Sequence, residues 1–285
     1  HQVSISTGYD DSGYDLLLAL HAWRSADAIQ RFASLYPGRP LVVALTGTDL
    51  YRFIHSQPEA TLRSIELADR LIVLHEMAHL AIPAEYRGKV NVVYQSAMPL
   101  QRRLPHARRS FDFCVVGHLR DEKDSLRPAY AVRDLPASSR IRISQYGKAY
   151  DRAWARKAKQ EMQRNRRYRW LGERPHWQVR QAYARSRAML LPSLMEGGAN
   201  VISEAVTAAL PVIASDIPGS VGLLGKDYAG YYPVGDSAAL RDILLRAESD
   251  PGYLPGLAEQ AAPLASRFTP AAESAALAAV LQSLH

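Results

Sequence analysis

Short apolar runs alternate with longer stretches of helical period along this whole chain, and that alternation restricts the fold to parallel α/β sheets. Strands are expected at 3–6, 16–20, 41–45, 71–74 and 90–94. A second set is expected at 113–116, 140–145, 168–171, 188–191 and 212–214. Between them, helical patterns fall at 26–35, 58–68, 126–135, 149–164, 177–186 and 201–209. The residues from Thr269 onward read as a further Ala/Leu-rich helix with Pro270 in its first position.

Two sets of strands need two cores, and the chain has 285 residues and 47% hydrophobic residues to build them. The seam is expected in the basic, aperiodic stretch 100–110, which contains Pro105. This predicts a domain at 1–105, a second at 106–265, and a last helix at 266–285. No apolar run approaches the ~20 residues of a membrane span. The sequence starts at His1 with no signal-peptide pattern, so a soluble cytoplasmic protein is expected. The single cysteine, Cys114, excludes an intrachain disulfide and a cysteine-based zinc cluster. Its setting, Phe113-Cys114-Val115-Val116, is that of a buried strand thiol.

The formal net charge is +7, unevenly spread. Residues 102–187 hold 23 Lys and Arg against 8 Asp and Glu, whereas residues 226–285 hold 4 against 7. No zinc finger, RNP motif or basic heptad region accompanies the charge, which argues against a nucleic-acid partner. A basic middle segment suits phosphate-bearing small molecules. One motif points elsewhere: His75-Glu76-Met77-Ala78-His79 matches the H-E-x-x-H pattern of zinc peptidases. It lacks the surroundings such a site needs. A strand ends directly at His75, Pro83 stops any helix, and beyond Glu85 the next carboxylate is Asp112, across the seam. The plainer expectation is a strand-to-helix turn with two partly exposed histidines and no metal.

The segment richest in chemistry runs Leu191-Pro192-Ser193-Leu194-Met195-Glu196-Gly197-Gly198-Ala199-Asn200-Val201-Ile202-Ser203-Glu204-Ala205. A strand, a turn, a glycine pair and a helix start follow one another. Glycines let backbone approach a ligand, and a helix N-terminus presents unpaired N–H groups and a positive dipole end. Glu196 and Glu204 flank this anion cradle. Carboxylates fit there if they accept hydrogen bonds from hydroxyls, as a sugar and a ribose would offer.

This run resembles the E-x7-E motif of glycosyltransferase family 4. Further landmarks follow in the family's order: FDFCVVGHLRDEK at 111–123, YRWLG at 168–172 and PVIASDIPG at 211–219. The resemblance implies a GT-B fold, two Rossmann-like domains facing across a cleft with the last helix crossing back. It implies a metal-independent transfer from a UDP-sugar, with cations and helix dipoles taking up the charge of the leaving diphosphate. Carried over, Arg120, Lys123 and Glu196 are the catalytic set; most of the family has Arg at the place held here by His118. Gly117, His118, Leu171, Gly197, Gly198, Ala199, Asn200, Val201 and Glu204 bind the donor, Glu204 through the ribose hydroxyls. The family's first βα unit precedes the region matched by residues 1–6, so the expectation is that the sheet has lost it or that the segment exists outside this sequence.

A finer resemblance lies in Leu20-His21-Ala22-Trp23-Arg24-Ser25, Leu45-Thr46-Gly47-Thr48-Asp49-Leu50-Tyr51, Tyr94-Gln95-Ser96-Ala97, the loop from Gly117 to Asp124, and Glu196 to Asn200. These are similar to the selenosugar synthases of selenoneine biosynthesis. That likeness implies selenophosphate as acceptor, N-acetylglucosamine as the sugar, and a carbon–selenium bond in the product. The acceptor set is then His21, Arg24, Thr46, Gly47, Thr48, Asp49, Gln95 and Ser96. The alternatives are that Arg24 pairs with a helix carboxylate such as Asp27, and that the acceptor is a conventional hydroxyl.

Overall fold

A computed structural model of the chain describes residues 2–284. It divides into two compact units: residues up to Gln95 together with those from Ala271, and Ser96–Pro270. The basic stretch 100–110 is stitched to the second unit. Leu104 donates its N–H to the Ala184 carbonyl at 2.9 Å, and the Arg103 guanidinium donates to the Tyr183 and Ser186 carbonyls, each at 2.6 Å.

The first unit contains β1 (Leu17–Leu20), α1 (Ala26–Leu35), β2 (Leu41–Ala44), α2 (Ile54–Ser56), α3 (Pro58–Leu67), β3 (Arg70–Val73) and β4 (Val90–Val92). Its strands are parallel in the order β1-β2-β3-β4. Helix α1 buries Ala26, Ile29 and Phe32, spaced so that one stripe meets the sheet. Ile29, Phe32 and Ile65 join Leu41, Val43, Leu71 and Val73 in one core. The chain's last helix, α11 (Pro270–Gln282), covers the opposite face, where Val280 meets Val42, Ile72 and Val93. The Arg70 guanidinium clamps its end by donating to Ser283 Oγ and O.

The second unit holds β5 (Phe111–Val116), α4 (Arg127–Ala131), β6 (Ile141–Tyr146), α5 (Arg152–Arg164), β7 (Tyr168–Trp170), α6 (His176–Arg185) and β8 (Ala188–Leu191). It continues through α7 (Asn200–Thr207), β9 (Val212–Ser215), α8 (Pro218–Leu224), β10 (Tyr231–Tyr232), α9 (Ser237–Ser249) and α10 (Tyr253–Ala261). Its six strands are parallel in the order β10-β9-β8-β5-β6-β7. Every residue of β8 and β9 is buried, as expected for strands covered on both faces. Cys114 lies fully buried in β5, and burial pushes its thiol up to about 12. Among the described residues no helix is long and apolar enough to cross a membrane.

Two expectations are corrected. Residues 3–6 form no strand; Val3 and Ile5 are 74% and 95% exposed. Their apolar–polar alternation fits a strand, but no neighbouring strand pairs with them. His75 is fully buried rather than partly exposed, with its Nε2 3.4 Å from the Tyr51 hydroxyl. Residues Glu76–Ala81 form a 3-10 helix, so His75 and His79 are not stacked one α-turn apart. His79 Nδ1 instead donates to the Glu76 carbonyl. No group of three metal-ligating side chains occurs among the described residues.

In the second unit the buried carboxylate of Glu161 gathers a cluster of charged partners. Glu161 accepts from Arg133 Nε at 2.9 Å and Nη2 at 2.5 Å, from Arg164 Nε at 2.8 Å, and from Asn165 Nδ2 at 3.2 Å. Burial pushes its carboxyl up, but the hydrogen bonds from Arg133, Arg164 and Asn165 outweigh this and hold it at about 2, against an ordinary 4.5. A depressed carboxyl contributes its full stabilisation above its ordinary value and loses it as pH falls toward the folded one. Glu161→Gln is therefore expected to cost of order 3 kcal/mol at neutral pH, because two guanidinium groups lose their counter-charge. Urea unfolding at a series of pH values checks this: the gap from the parent protein narrows as acid protonates Glu161.

Candidate functional site

Strand order reverses in the second unit. From β5 the chain adds β6 and β7 on one side, then crosses to β8, β9 and β10 on the other. In open parallel sheets, ligands bind at the carboxyl ends of the strands flanking such a reversal. Here those are β5 and β8, and the loops leaving them carry 117–123 and 192–199.

The β5 loop is fixed by its neighbours. Gly117 donates its N–H to Tyr146 O, Leu119 to Lys148 O, and Gln145 Nε2 donates to Gly117 O. Gly147 has φ +143°, and a Cβ there would run into the Gly117 carbonyl and the His118 nitrogen. Trp170 Nε1 donates to Gly147 O at 2.8 Å, bringing the β7 end into the same stack. Leu171 spends its N–H on Gln145 O, extending the sheet. His118 is exposed, and its Nδ1 accepts the Lys148 N–H at 3.0 Å; in the neutral ring the proton therefore sits on Nε2. A 3-10 turn, Asp121–Lys123, follows.

That turn brings Lys123 to Glu196. Lys123 Nζ lies 2.5 Å from Glu196 Oε1, with both side chains largely buried. Ser193 Oγ donates to the same oxygen at 2.6 Å, and Ser215 Oγ donates to Ser193 O. Leu194 N–H bonds Glu122 O, tying the two loops together through backbone. Gly219, at the start of α8, lies against Glu196: a Cβ there would come within 2.7 Å of Glu196 Cβ and closer still to its carbonyl. The arrangement is a pre-set ammonium with donors to spare, held by a carboxylate that Ser193 orients. Arg120 stands beside it, its guanidinium loosely paired with Glu122 at 4.0 Å and partly exposed.

Gly198, with φ +154°, and Ala199 lead into α7, whose N-cap side chain makes no hydrogen bond, so the first N–H groups of Asn200 and Val201 remain for a ligand. Gly197 precedes them. One turn further on, Glu204 is held from both sides. Tyr183 donates its hydroxyl to Oε2 at 2.7 Å, and His176 Nε2 lies 3.1 Å from Oε1. Burial, then the nearby Glu204 charge, raises the Tyr183 phenol well above its ordinary value, so it stays a donor. Glu204, Asn200, His176 and Arg180 line a cavity of ≈ 250 Å³ with Ser96. Asn200 Oδ1 is a buried acceptor with no protein partner. The Glu204 carboxylate at this cavity suits a ligand rich in hydroxyl donors. The anchors His176 and Tyr183 went unpredicted. The only signal for Tyr183 was its place on the buried stripe of α6, and none marked His176.

In the first unit the turns after β1 and β2 come together. His21, at φ +81°, places Nδ1 2.5 Å from Asp49 Oδ1 and Nε2 3.0 Å from Thr48 Oγ1. Asp49 is fully buried and also accepts from Thr46 N and Oγ1 and from Trp23 N. Burial alone would raise its carboxyl, but these hydrogen bonds, His21 foremost, hold it below the ordinary range. Arg24 is exposed, and Asp27 lies 3.8 Å from Arg31 instead of pairing with Arg24. Gly47 links Thr46 to Thr48. Of the other expected acceptor residues, Gln95 ends the first unit, and Ser96 lies in the second, beside Glu204.

The sequence matches the model of the family "Glycosyl transferases group 1" over residues 100–266. No curated protein matches the chain by sequence. Among solved structures, HepE from Anabaena, crystallised with UDP and glucose, is similar with a TM-score of 0.78 and 20% identity over 95% of this chain and 78% of HepE. Sucrose-phosphate synthase from Thermosynechococcus elongatus gives 0.76 at 17% identity, over 96% and 74%. The lipopolysaccharide outer core galactosyltransferase WaaB gives 0.69 at 17% identity, over 94% and 75%. These likenesses establish a GT-B fold. The family model spans more than half of the chain and includes Lys123, Glu196 and Glu204: the chain belongs to the group 1 glycosyltransferases.

Proposed function

We propose that this glycosyltransferase takes its sugar from a UDP-sugar bound on the second unit. The observation that carries this reading is the single segment 196–204. It joins the Glu196–Lys123 pair, the uncapped start of α7, and a cavity lined by Glu204, whose carboxylate suits ribose hydroxyls. HepE is known with UDP and with UDP-glucose, which supports the donor class. Lys123, Arg120 and the N–H groups of Asn200 and Val201 would meet the diphosphate. Their positive ends oppose the charge that develops as the sugar–phosphate bond breaks. Glu196 keeps Lys123 in place and accepts from the donor sugar. We assign no metal, since these cations already supply the charge.

For the acceptor we propose selenophosphate, and N-acetylglucosamine as the sugar, giving a selenosugar for selenoneine biosynthesis in the cytoplasm. Support comes from the HAWRS and LTGTDLY motifs and from exposed Arg24, whose partner is not Asp27. A small anion gains affinity from cations and N–H donors rather than apolar area.

Incubation with UDP-sugars and selenophosphate, followed by mass spectrometry, tests the reading: a product with the selenium isotope pattern is expected, and EDTA should leave turnover intact. Glu204→Ala should cost about 1–3 kcal/mol in UDP binding by calorimetry, because the ribose loses a charged acceptor. Gly219→Ala should weaken UDP binding with the chain still folded, since the new methyl displaces Glu196. Arg24→Ala should raise KM for selenophosphate and leave UDP affinity unchanged.

A further inference from the structure

We propose that Tyr183 and His176 are positioning residues that fix Glu204 as a receptor for two neighbouring ribose hydroxyls, and so select a ribonucleotide over its deoxy counterparts. The proposal rests on the UDP-sugar reading above and deepens it by naming the residues that aim the nucleotide's acceptor.

The device is built on one stripe of α6. His176, Arg180 and Tyr183 stand at i, i+4 and i+7, which lines them up along the helix. Val179 and Ala182, on the adjoining stripe, are buried and supply the apolar packing. The stripe at 176, 180 and 183 carries polar groups instead, and each is engaged. Tyr183 donates its hydroxyl to Glu204 Oε2 at 2.7 Å, and His176 Nε2 lies 3.1 Å from Oε1. Arg180 donates to the Met98 and Pro99 carbonyls at 2.8 Å and 2.6 Å. Two of the three groups therefore converge on a single carboxylate, one on each oxygen.

A lone-pair count gives the consequence. A carboxylate offers about four acceptor sites over its two oxygens. Tyr183 and His176 occupy one site on each oxygen, which leaves one on each. The group cannot turn about its Cγ–Cδ bond without breaking both hydrogen bonds, so the two remaining sites are held side by side. Two hydroxyls on adjacent ring carbons, as at the 2′ and 3′ positions of ribose, match that pair. The charge is also kept available. Arg180, the cation on the same stripe, spends its guanidinium on backbone carbonyls, and a phenol and an imidazole hold Glu204 instead. Hydroxyls then meet a charged acceptor, and such hydrogen bonds are the strong ones.

Both anchors are themselves set in place. Tyr183 is fully buried, and burial, followed by the Glu204 charge, raises its phenol well above the ordinary value, so it can only donate. Its carbonyl accepts from Arg103 Nη1 at 2.6 Å, and the next carbonyl, of Ala184, accepts the Leu104 N–H at 2.9 Å. At the other end of α6, Gly172 in left-handed backbone space at φ +74° and Pro175 at φ −55° fix how the chain leaves β7 and where His176 starts the helix. His176 is exposed, and its ring donates through Nε2 both as the neutral Nε2–H tautomer and as imidazolium. Its hold on Glu204 therefore survives protonation.

Calorimetry on the full chain with UDP and with 2′,3′-dideoxy-UDP tests this. The parent protein is expected to bind UDP more tightly. Tyr183→Phe keeps the ring and removes the donor. It should weaken UDP about tenfold, the scale of one hydrogen bond to a charged group, and leave the dideoxy affinity where it was. His176→Ala should weaken UDP about threefold with the same selectivity, as befits an exposed pair. His176→Gln, which keeps an N–H donor, should recover most of that loss. In a Glu204→Ala background, Tyr183→Phe should cost nothing more, because no carboxylate is left to aim. Equal weakening of both nucleotides means that the variants disturb α6 as a whole, and overturns the positioning role; so does a preference for UDP that survives both substitutions. Should Tyr183→Phe fail to fold, the two His176 variants, at an exposed ring, decide by the same criteria. A parent protein that binds the dideoxy nucleotide as tightly as UDP overturns the proposal and leaves the donor class standing. A parent protein that binds neither defeats the donor reading, and the proposal with it.

Discussion

The strand-order reversal between β5 and β8 is the constraint on which the second unit's chemistry depends. Parallel strands need crossovers, and crossovers run right-handed, so helices on each side of the reversal lie on opposite faces of the sheet. The loops at the reversal are left without a crossover between them, and their ends diverge. Lys123 and Glu196, 73 residues apart, meet across that gap. The ion pair joins the loops where the sheet's own hydrogen bonding leaves them separate. The Leu194–Glu122 backbone bond and the fit of Gly219 under Glu196 then fix the spacing to within an atom's width.

Much of this framework is written in local pattern. The runs at 188–191 and 26–35 become β8 and α1 with the same bounds, because β-branched or apolar runs and an Ile29–Phe32 stripe each suit one backbone state. Residues 3–6 carry an equally good alternation and remain irregular, since a strand also needs a neighbour to pair with. The pair at 75 and 79 shows the same limit. Its spacing matches a zinc helix, but the segment closes as a 3-10 turn on top of the strand that precedes it. The anchors of Glu204 are further from view still. His176 and Tyr183 lie 28 and 21 residues before it, and nothing in their own surroundings announces the contact.

The arginine-rich middle segment invited an electrostatic reading that the structure moderates. Arg103 and Arg180 donate to carbonyls of Tyr183, Ser186, Met98 and Pro99. Arg167 holds Ser139, Ile141 and Pro136 in the same way, and Arg133 is bound to Glu161. A guanidinium fork is rigid and carries five donors, so it can satisfy several loop carbonyls at once. A good part of the local positive charge is therefore structural, binding loops that have no sheet partners, and the cations left for a ligand are fewer than composition suggests.

The buried thiol of Cys114 has a further consequence. It lies at the centre of β5, between β6 and β8, and is the chain's one cysteine. A thiol reagent reaches it only when that strand parts from its neighbours. The rate of its labelling is thus a clock for the opening of the second unit's core, readable without any introduced probe. A bound donor that holds the ends of β5 and β8 together would slow that clock.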